Sequence, residues 1–222
     1  MLSIKPIILL CVLVSGLVSG WVSGWVSAQP LRVITPAEII EWQPHAFAEP
    51  THYSLVQHQG RWAVAAQCEP GAASGLFYMA EIDLTETPII EWDWAISAPY
   101  SALNETRRAG DDYPARLYLV DDRRPWVWQT RAINYVWSSA QPKHSAWPNA
   151  FQPRAQMIAV QSGAPERPGL WVTQRRNIQA DFRTWHEREL QQLNTLAVMT
   201  DCDNALQPAQ AWYGEIRLYA AP

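Results

Sequence analysis

The fold class is decided by one short stretch of the sequence, Ile89-Ile90-Glu91-Trp92-Asp93-Trp94-Ala95-Ile96. Its apolar residues at positions 90, 92, 94 and 96 would share one face of a β-strand, while Glu91 and Asp93 would share the other. A strand with one apolar and one polar face is typical of an antiparallel sheet that covers a core. The aromatic side chains of the apolar face therefore predict a core between two packed sheets.

Other strand-like segments, punctuated by Pro and Gly, lie on both sides of this stretch. Gln59-Gly60 between two of them predicts a β-hairpin. A large number of strands with almost no alternation of strand and helix predicts an all-β fold, an antiparallel β-sandwich, and we expect its jelly-roll form. The predicted strands besides Ile89–Ile96 are Thr51–Gln57, Arg61–Cys68, Ala115–Val120, Val127–Trp137, Met157–Gln161, Leu170–Arg175, Leu196–Thr200 and Trp212–Tyr219.

Two short helices are expected beside the strands. Thr35-Pro36-Ala37-Glu38 has the form of a capping box with Pro at the first helical position, which predicts a helix near residues 36–41. A second helix is predicted over Asp181–Leu190. Asp181 is then either its N-cap or the partner of an upstream Arg.

The composition excludes several classes of protein. The chain has 222 residues, 48% of them hydrophobic, and a formal net charge of −4. A disordered or collagen-like chain would hold fewer apolar residues or a strict Gly period. A nucleic-acid-binding protein would usually carry a basic excess. We therefore expect a globular protein that binds no nucleic acid.

Residues 1–28 have the pattern of an export signal. Lys5 is their only charge, an apolar run follows it, and Val26-Ser27-Ala28 suits cleavage before Gln29. An uncleaved membrane anchor is the alternative, although the Gly and Ser residues of this segment would weaken a spanning helix. We expect cleavage, which leaves residues 29–222 as a single β-sandwich domain without a membrane span. Its expected location is the periplasm of a Gram-negative bacterium or the cell exterior.

The cysteines are too few for a disulfide-rich miniprotein. Of the three, Cys11 lies in the export signal, which leaves Cys68 and Cys202. In an oxidising compartment these two can form one disulfide, and a pair of reduced thiols is the alternative. Two Cys without nearby His at ligand spacing do not make a zinc site.

Polar side chains concentrate in Asp111-Asp112-Tyr113-Pro114-Ala115-Arg116 and in Thr200-Asp201-Cys202-Asp203-Asn204. The acids of the first segment can bind a hard cation or sugar hydroxyls, or they can pair with Arg116 and fix a loop. The second segment offers several oxygens, as calcium loops do, but it lacks the Gly and the distal Glu of an EF-hand. Turn-forming Asx hydrogen bonds are its alternative role. We expect no cofactor, and calcium at these acids is the one metal considered.

Two further segments add candidate contacts. In Asn134-Tyr135-Val136-Trp137-Ser138 the two aromatic residues share one strand face, where they form either a platform for a sugar ring or part of the core. In Arg175-Arg176-Asn177, followed by Asp181, the charges can pair or cap a helix. Trp212 in the last strand is a second stacking candidate. The candidate ligand-binding residues are Asp111, Asp112, Arg116, Asn134, Trp137, Arg176, Asn177, Asp181, Asp201, Asp203, Asn204 and Trp212.

No complete catalytic motif is present in the sequence. Glu91-Trp92-Asp93 resembles the first half of the Glu-x-Asp-x-x-Glu strand of sandwich-fold β-glucanases, but positions 95 and 96 are Ala and Ile, so the second Glu is missing. There is no Gly-x-Ser-x-Gly, and the five His show no metal-ligand spacing. The sequence therefore favours a protein that is not an enzyme.

Seven motifs occur in an order that resembles a known family. They are Ala73-Ser74-Gly75-Leu76, Pro88–Trp94, Asp111–Arg116, Asn134–Trp137, Arg176–Phe182, Thr200–Asn204 and Ala211–Ile216. This order resembles the bacterial exported family called domain of unknown function 3047. The chain departs from its pattern at Phe182, where Tyr is usual, at His186-Glu187, at Ala205-Leu206, and at Glu215, where Asp is usual.

The resemblance implies an exported bacterial protein without an assigned reaction. The closing strand, Tyr213–Leu218, is also similar to the last strand of galactose-binding-like jelly rolls. We expect the polar segments to converge on one patch that binds a glycan or another small polar ligand. Two alternatives stay open: an enzyme that acts on polysaccharide through an Asp or Glu of the same patch, and a structural or assembly factor of the cell envelope.

Overall fold

Two β-sheets pack face to face in the computed structural model, which describes residues 29–221. The predicted export signal, residues 1–28, lies outside the described residues. Two helices, α1 (Pro36–Ile39) and α2 (Ile178–His186), accompany the strands in the described range. The strands are β1 (Arg32–Ile34), β2 (Gln43–Ala46), β3 (His52–His58), β4 (Arg61–Cys68), β5 (Ala73–Asp83), β6 (Ile89–Ile96), β7 (Ala115–Asp121), β8 (Arg131–Ser138), β9 (Ala146–Pro148), β10 (Ala155–Ser162), β11 (Val172–Asn177), β12 (Gln192–Asp201) and β13 (Ala209–Tyr219).

The chain crosses repeatedly from one sheet to the other. Sheet A has the order β11-β6-β13-β4-β3, with β1 also paired to β13, and sheet B has the order β2-β5-β12-β7-β8-β10-β9. Successive strands from β4 to β7, and again from β10 to β13, alternate between the sheets, so the predicted sandwich of jelly-roll type is confirmed. One pair departs from the antiparallel expectation. β8 and β10 run parallel because β9, which lies between them in sequence, pairs on the far side of β10.

The predicted capping box starts α1. The Thr35 hydroxyl accepts from the Glu38 backbone N–H at 3.3 Å, and the Glu38 carboxylate accepts from the Thr35 backbone N–H at 2.7 Å. The predicted hairpin is also present, because β3 and β4 pair around Gln59 and Gly60, both of which have positive φ. These local signals suffice because the hydrogen bonds they require join residues adjacent in sequence.

The prediction of a helix over Asp181–Leu190 is wrong in its bounds. Asn177 is the N-cap, since its side-chain oxygen accepts from the Ala180 backbone N–H at 2.9 Å, and α2 therefore begins at Ile178. Glu187, in the left-handed conformation with φ of 52°, ends it. β8 likewise begins later than predicted, because residues 127–129 form a 3₁₀ turn.

The apolar face of β6 forms the centre of the core, as its alternation predicts. Trp92 and Trp94 are fully buried. The Trp92 ring stacks on Tyr135 of β8 with centroids 5.2 Å apart, and the centroid of Trp94 lies 5.9 Å from that of Trp137. These aromatic contacts join the middle strands of the two sheets and supply the large apolar burial that stabilises a sandwich.

The opposite face of β6 pairs its acids with arginines of neighbouring strands. Arg217 contacts both Glu91 and Asp93 at 2.9 Å, and Arg61 contacts Asp93 at 2.5 Å. Burial opposes the ionisation of Asp93, but hydrogen bonds from Arg217, Thr173 and Arg61 outweigh it and hold the pKa of Asp93 below its usual value. This outer face of sheet A therefore carries a ladder of ion pairs that joins β6 to β4, β11 and β13.

A disulfide joins the two sheets at one end of the sandwich. Cys68 at the end of β4 and Cys202 just after β12 are bonded, with their Cα atoms 6.2 Å apart and a sequence separation of 134 positions. Among the two alternatives for these cysteines, the structure has the bonded one. Within residues 29–221, none of the helices has the length and apolar character needed to cross a membrane.

We expect removal of the disulfide to destabilise the protein. The double variant Cys68→Ala/Cys202→Ala should lose about 2–4 kcal/mol of unfolding free energy, because the crosslink closes a long loop in the unfolded chain. Urea unfolding followed by circular dichroism measures the difference. A reducing agent should lower the stability of the wild type and leave the double variant unchanged, and an unresponsive wild type would contradict the crosslink.

We also expect an acid-dependent loss of stability that involves Asp93. Its lowered pKa means that its ion pairs stabilise the fold above the unfolded pKa of about 4 and are lost as the pH falls through the folded value. Asp93→Asn should cost about 2 kcal/mol at pH 7, the scale of hydrogen bonds to charged groups. The difference in unfolding free energy between this variant and the wild type should become smaller below pH about 4. Glu166→Gln, at an exposed acid, is the control, and a gap independent of pH would refute the assignment.

Candidate functional site

One half of the outer face of sheet B is covered by other residues, and the other half is open to solvent. Over β8, β9 and β10 a small second apolar cluster fills the surface. Over β2, β5, β12 and β7 the face stays open and carries two adjoining hollows, of about 350 Å³ and 380 Å³, that share Phe47. We call the two hollows together the groove. The second apolar cluster consists of Tyr113, Val136, Trp147, Met157 and Ala159.

Aromatic rings form the floor of the groove. Phe77 on β5 and Tyr118 on β7 both face Ala197 of the intervening strand β12, and their centroids lie 6.3 Å apart. The small Ala leaves space for the two rings to meet above it. Phe47 continues the row, 6.3 Å from Phe77. Gly75 lets the Phe77 ring lie close to the backbone, since a Cβ at Gly75 would be 2.8 Å from the Val198 carbonyl and 3.0 Å from the Phe77 ring.

Polar residues line the first hollow, at the end of the sheet where β12 finishes and β7 begins. Phe151 and Gln152 come from the loop after β9, and Asp203 and Asn204 from the loop after β12. The full lining is Phe47, Ala73, Asp111, Arg116, Tyr118, Asn149, Phe151, Gln152, Met199, Asp201, Asp203 and Asn204. Two polar loops and the ends of two strands therefore meet above the aromatic floor.

Arg116 is the buried cation at the base of this hollow. Its Nε donates to Asp201 Oδ1 at 3.0 Å, and Nη2 also contacts the Asp201 carboxylate. Nη2 donates to the Asp111 carbonyl and Nη1 to the Tyr118 hydroxyl, each at 3.0 Å. The guanidinium lies 4.5 Å from the centroid of the Tyr113 ring. Arg116 therefore fixes the loop before β7 to the end of β12, which is the clamp considered from the sequence, with Asp201 as its acid.

The Asp111 carboxylate is held beside the hollow by neutral donors. Asn149 Nδ2 donates to it at 2.6 Å, and the Tyr113 hydroxyl donates at 3.1 Å. Burial raises the pKa of Asp111, and the nearby Arg116 offsets part of that rise. A carboxylate with a raised pKa beside an open cavity is a typical functional-site feature.

Asp203 lines the hollow, and the fully buried Asp112 lies against it. Asn204 donates to Asp112 through its backbone N–H at 2.8 Å and its side-chain amide at 3.1 Å, and the Ala205 backbone N–H donates as well. Burial and the negative charge of Asp112 raise the pKa of Asp203. The acceptor of these bonds is Asp112, 92 residues before Asn204 in the chain, so they are long-range contacts and differ from the local Asx hydrogen bonds considered for this segment.

Three carboxylates in this region have the spacing of a cation site. Ligand oxygens of Asp112, Asp201 and Asp203 lie within 4.8 Å of one another. Two of these acids already have donors, since Asp201 pairs with Arg116 and Asp112 accepts from the Asn204 and Ala205 amides. These partners compensate the negative charge without a cation, and calcium here stays a prediction.

The groove gathers only part of the predicted set. Asp111, Asp112, Arg116, Asp201, Asp203 and Asn204 lie together, as predicted. Arg176 and Asp181 instead form a separate ion pair, and the Tyr135 hydroxyl donates to Asp181 at 2.5 Å from the inner face of sheet B. Asn177 is the cap of α2. The expectation that all polar segments converge on one patch is therefore wrong for the third segment.

The two predicted stacking residues are also placed elsewhere. Trp137 is fully buried in the core and donates through Nε1 to the Gly163 carbonyl at 2.8 Å, so it cannot stack on a ligand. Trp212 lies on β13 in sheet A and stacks on His58 with centroids 4.0 Å apart, on the far side of the sandwich. Asn134 lies between Tyr118 and Met157 on the neighbouring strands and is fully buried, and its amide has no hydrogen-bond partner among residues 29–221.

Sequence reasoning missed the residues that give the groove its walls. Phe47 and Phe151 are 59% and 52% exposed, and both lie outside the strands. Asn149 and Gln152 flank the second of them in one loop. The signal available in the sequence was an aromatic residue within a polar, Pro-bounded loop, where burial does not explain it.

Comparison with known proteins identifies one family. The family model described as "Protein of unknown function (DUF3047)" matches residues 40–217. The predicted resemblance is therefore confirmed over most of the chain. No curated protein matches this sequence.

Solved structures with a similar arrangement of strands are distant in sequence. One is a family 11 carbohydrate-binding module from Clostridium thermocellum in complex with a β-1,3-1,4-mixed-linked tetrasaccharide, with 10% identity, a TM-score of 0.49, and coverage of 88% of this chain and 98% of that one. The same type of module from the cellulosomal cellulase Lic26A-Cel5E of that organism has 10% identity, a TM-score of 0.46, and coverage of 88% and 97%. Endoglucanase 3 of Trichoderma harzianum, from family GH12, has 8% identity, a TM-score of 0.38, and coverage of 82% and 98%. Because these TM-scores lie below 0.5, function has to be inferred from the side chains of this molecule.

We expect Arg116→Met to destabilise the fold by about 3–5 kcal/mol, because it leaves the buried Asp201 carboxylate without its counter-charge. Arg183→Met is the matched control. It removes the solvent-exposed ion pair between Arg183 of α2 and Glu189 and should leave the stability nearly unchanged. Urea unfolding of both variants provides the measurement. Equal stability of the two variants would show that Arg116 does not hold this end of sheet B together.

Proposed function

Since this chain belongs to the DUF3047 family, whose description assigns no activity, we propose a function from the groove: the protein is an exported binding protein for an uncharged glycan chain. The observation that carries the proposal is the combination of exposed aromatic rings, Phe47 and Phe151, with amide and carboxylate side chains in one open cavity. Sugar rings offer an apolar C–H face and a rim of hydroxyls, and this lining complements both.

The dimensions of the groove suit a chain longer than one small ligand. Each hollow lies within the range of about 300–1,000 Å³ usual for small-molecule sites. The two hollows follow the strand direction, since β12 contributes Met199 to the first and Thr195 to the second. A ligand that occupies both would therefore lie along β12 and β7 rather than across the sheet.

Charge favours a neutral ligand in the first hollow. Three acids, Asp111, Asp201 and Asp203, line it against the single buried cation Arg116, and a fourth acid, Asp112, lies behind them within 4.8 Å of Asp201 and Asp203. The guanidinium is already occupied by Asp201 and the Asp111 carbonyl. An anionic ligand would thus meet an excess of negative charge and be repelled by it. Neutral sugar hydroxyls can instead donate to the carboxylates.

Export is part of the proposal, and two observations support it. Residues 1–28 carry the pattern of a cleavable signal, and the disulfide between Cys68 and Cys202 suits an oxidising compartment. A glycan-binding protein located there would meet the polysaccharides of the cell envelope.

An enzyme that cleaves the same glycan is the second candidate. Asp111 and Asp203 both line the first hollow, and the pKa of each is raised, as a general acid requires. The acids are, however, committed to internal partners: Asn149 and Tyr113 for Asp111, and Asp112 for Asp203. This commitment favours binding over turnover.

We expect a glycan array to show binding of the folded wild type to neutral oligosaccharides, with weaker signals for uronic-acid or sulfated ones. Phe47→Ala and Phe151→Ala should each lower the affinity by about tenfold, the scale of one aromatic contact. Trp62→Ala, at a residue 56% exposed on sheet A, is the matched control and should leave the affinity unchanged.

Three outcomes would decide against parts of this proposal. Lack of binding to every neutral glycan overturns it. Preference for anionic glycans contradicts the charge argument. Release of new reducing ends from a bound glycan, abolished by Asp111→Asn, would identify the protein as an enzyme.

A further inference from the structure

The loop between β7 and β8 presents three consecutive apolar side chains to solvent. Trp126, Val127 and Trp128 are 54%, 58% and 57% exposed. We call this segment the Trp126–Trp128 tip. None of its residues lines the groove, although Asp122 and Arg124 just before it border the second hollow. Consecutive exposed apolar residues on a soluble surface indicate an interaction site.

Hydrogen bonds hold the tip in one conformation. The Gln129 backbone N–H donates to the Trp126 carbonyl at 2.8 Å, and Arg131 Nη1 donates to the Trp128 carbonyl at 3.0 Å. Arg188, from the segment after α2, donates to the Gln129 carbonyl at 3.0 Å. Because these hydrogen bonds fix the backbone of the turn, its geometry holds the three side chains in their outward positions.

Arginines surround the tip. Five of them, at positions 123, 124, 131, 154 and 188, lie in or against the loop, and two carboxylates, Asp121 and Asp122, pair with three of them. Within the described residues Arg131 and Arg154 make no ion pair. Burial, and then the positive charges of Arg188 and Arg154, lower the pKa of Arg131. A local excess of three positive charges thus lies on a chain whose net charge is −4.

We propose that the Trp126–Trp128 tip docks the protein on the surface of an anionic lipid bilayer. Trp side chains favour the bilayer interface, where the indole ring meets the acyl boundary and its N–H stays among polar headgroups. Arginines at the base of the tip would meet lipid phosphates at the same depth. None of the three side chains lines either hollow of the groove, so the tip is suited to insertion into a bilayer interface rather than to enclosing a small ligand. The negative charge of the rest of the chain would orient the tip towards an anionic membrane.

Vesicle sedimentation with the exported, purified protein tests this docking. We expect binding to vesicles of phosphatidylcholine and phosphatidylglycerol in a ratio of about 3:1 and much weaker binding to phosphatidylcholine alone, with a further fall as salt is raised. Trp126→Ala/Trp128→Ala should lower the partition coefficient by about tenfold or more. Arg123→Gln/Arg154→Gln, which leaves the hydrogen bonds of the tip backbone in place, should also lower it, and only on the anionic vesicles.

Matched controls separate the tip from unrelated membrane affinity. Trp62→Ala removes an equally exposed Trp from sheet A, and Arg107→Gln/Arg167→Gln removes two exposed arginines from other loops. Both should bind vesicles as the wild type does. Hydrogen exchange with vesicles present should protect residues 123–131. Binding that protects only other segments, equal binding by all variants, or no binding at all would overturn the proposal.

Discussion

The arrangement of the groove depends on one buried charge. Arg116 is the second residue of β7 and its side chain is almost fully buried. A cation there is tolerated only if it is paired and fully hydrogen-bonded. Asp201 supplies the pair, and the Asp111 carbonyl and the Tyr118 hydroxyl take further N–H groups. The loop before β7 and the end of β12 must therefore sit where these acceptors converge, and their remaining acids are thereby brought to one rim.

The same requirement explains why the two halves of the outer face differ. Tyr113, from the loop that Arg116 holds, packs with Trp147 in the cluster that covers β8, β9 and β10. Its hydroxyl reaches Asp111, which Asn149 also contacts from the loop after β9. The cover and the polar rim are thus parts of one structure. The uncovered half of the outer face lies above β5, β12 and β7, where the aromatic row forms an apolar floor that no other element of the described chain covers.

The elements that could be predicted from the sequence are those whose signals involve residues close together in the chain. The alternation in Ile89–Ile96, the hairpin at Gln59-Gly60 and the capping box at Thr35 are local, and each is confirmed. β5 was not predicted, because Ala73–Asp83 includes Gly75 and does not alternate cleanly, and its strand character comes from pairing with β2 and β12.

For the site, motif order brought the right acids together but not their partners. Asp111, Asp112, Asp201 and Asp203 were predicted to meet, yet which of them would pair with Arg116 depends on the register of β7 with β12. Strand alternation places Tyr135 and Trp137 on one face of β8, but it does not show which face is buried. Their contacts with Trp92 and Trp94 of sheet A place that face in the core. Phe47 and Phe151 lie in loops, where no periodicity marks a side chain as part of a surface.

The two ends of β7 carry opposite charge, and this polarity links the two proposed surfaces. β7 spans Ala115–Asp121, about 20 Å at the usual rise of a strand, from the acid rim to the loop that bears the Trp126–Trp128 tip. A glycan that follows the groove would run from an excess of negative charge towards an excess of positive charge. Any charge on that chain would be repelled at one end, whichever its sign, so an uncharged polymer is the ligand that fits along the whole length. Docking through the tip would leave the acid rim at the end of β7 remote from the membrane, where the groove stays open to a polysaccharide that approaches from solvent.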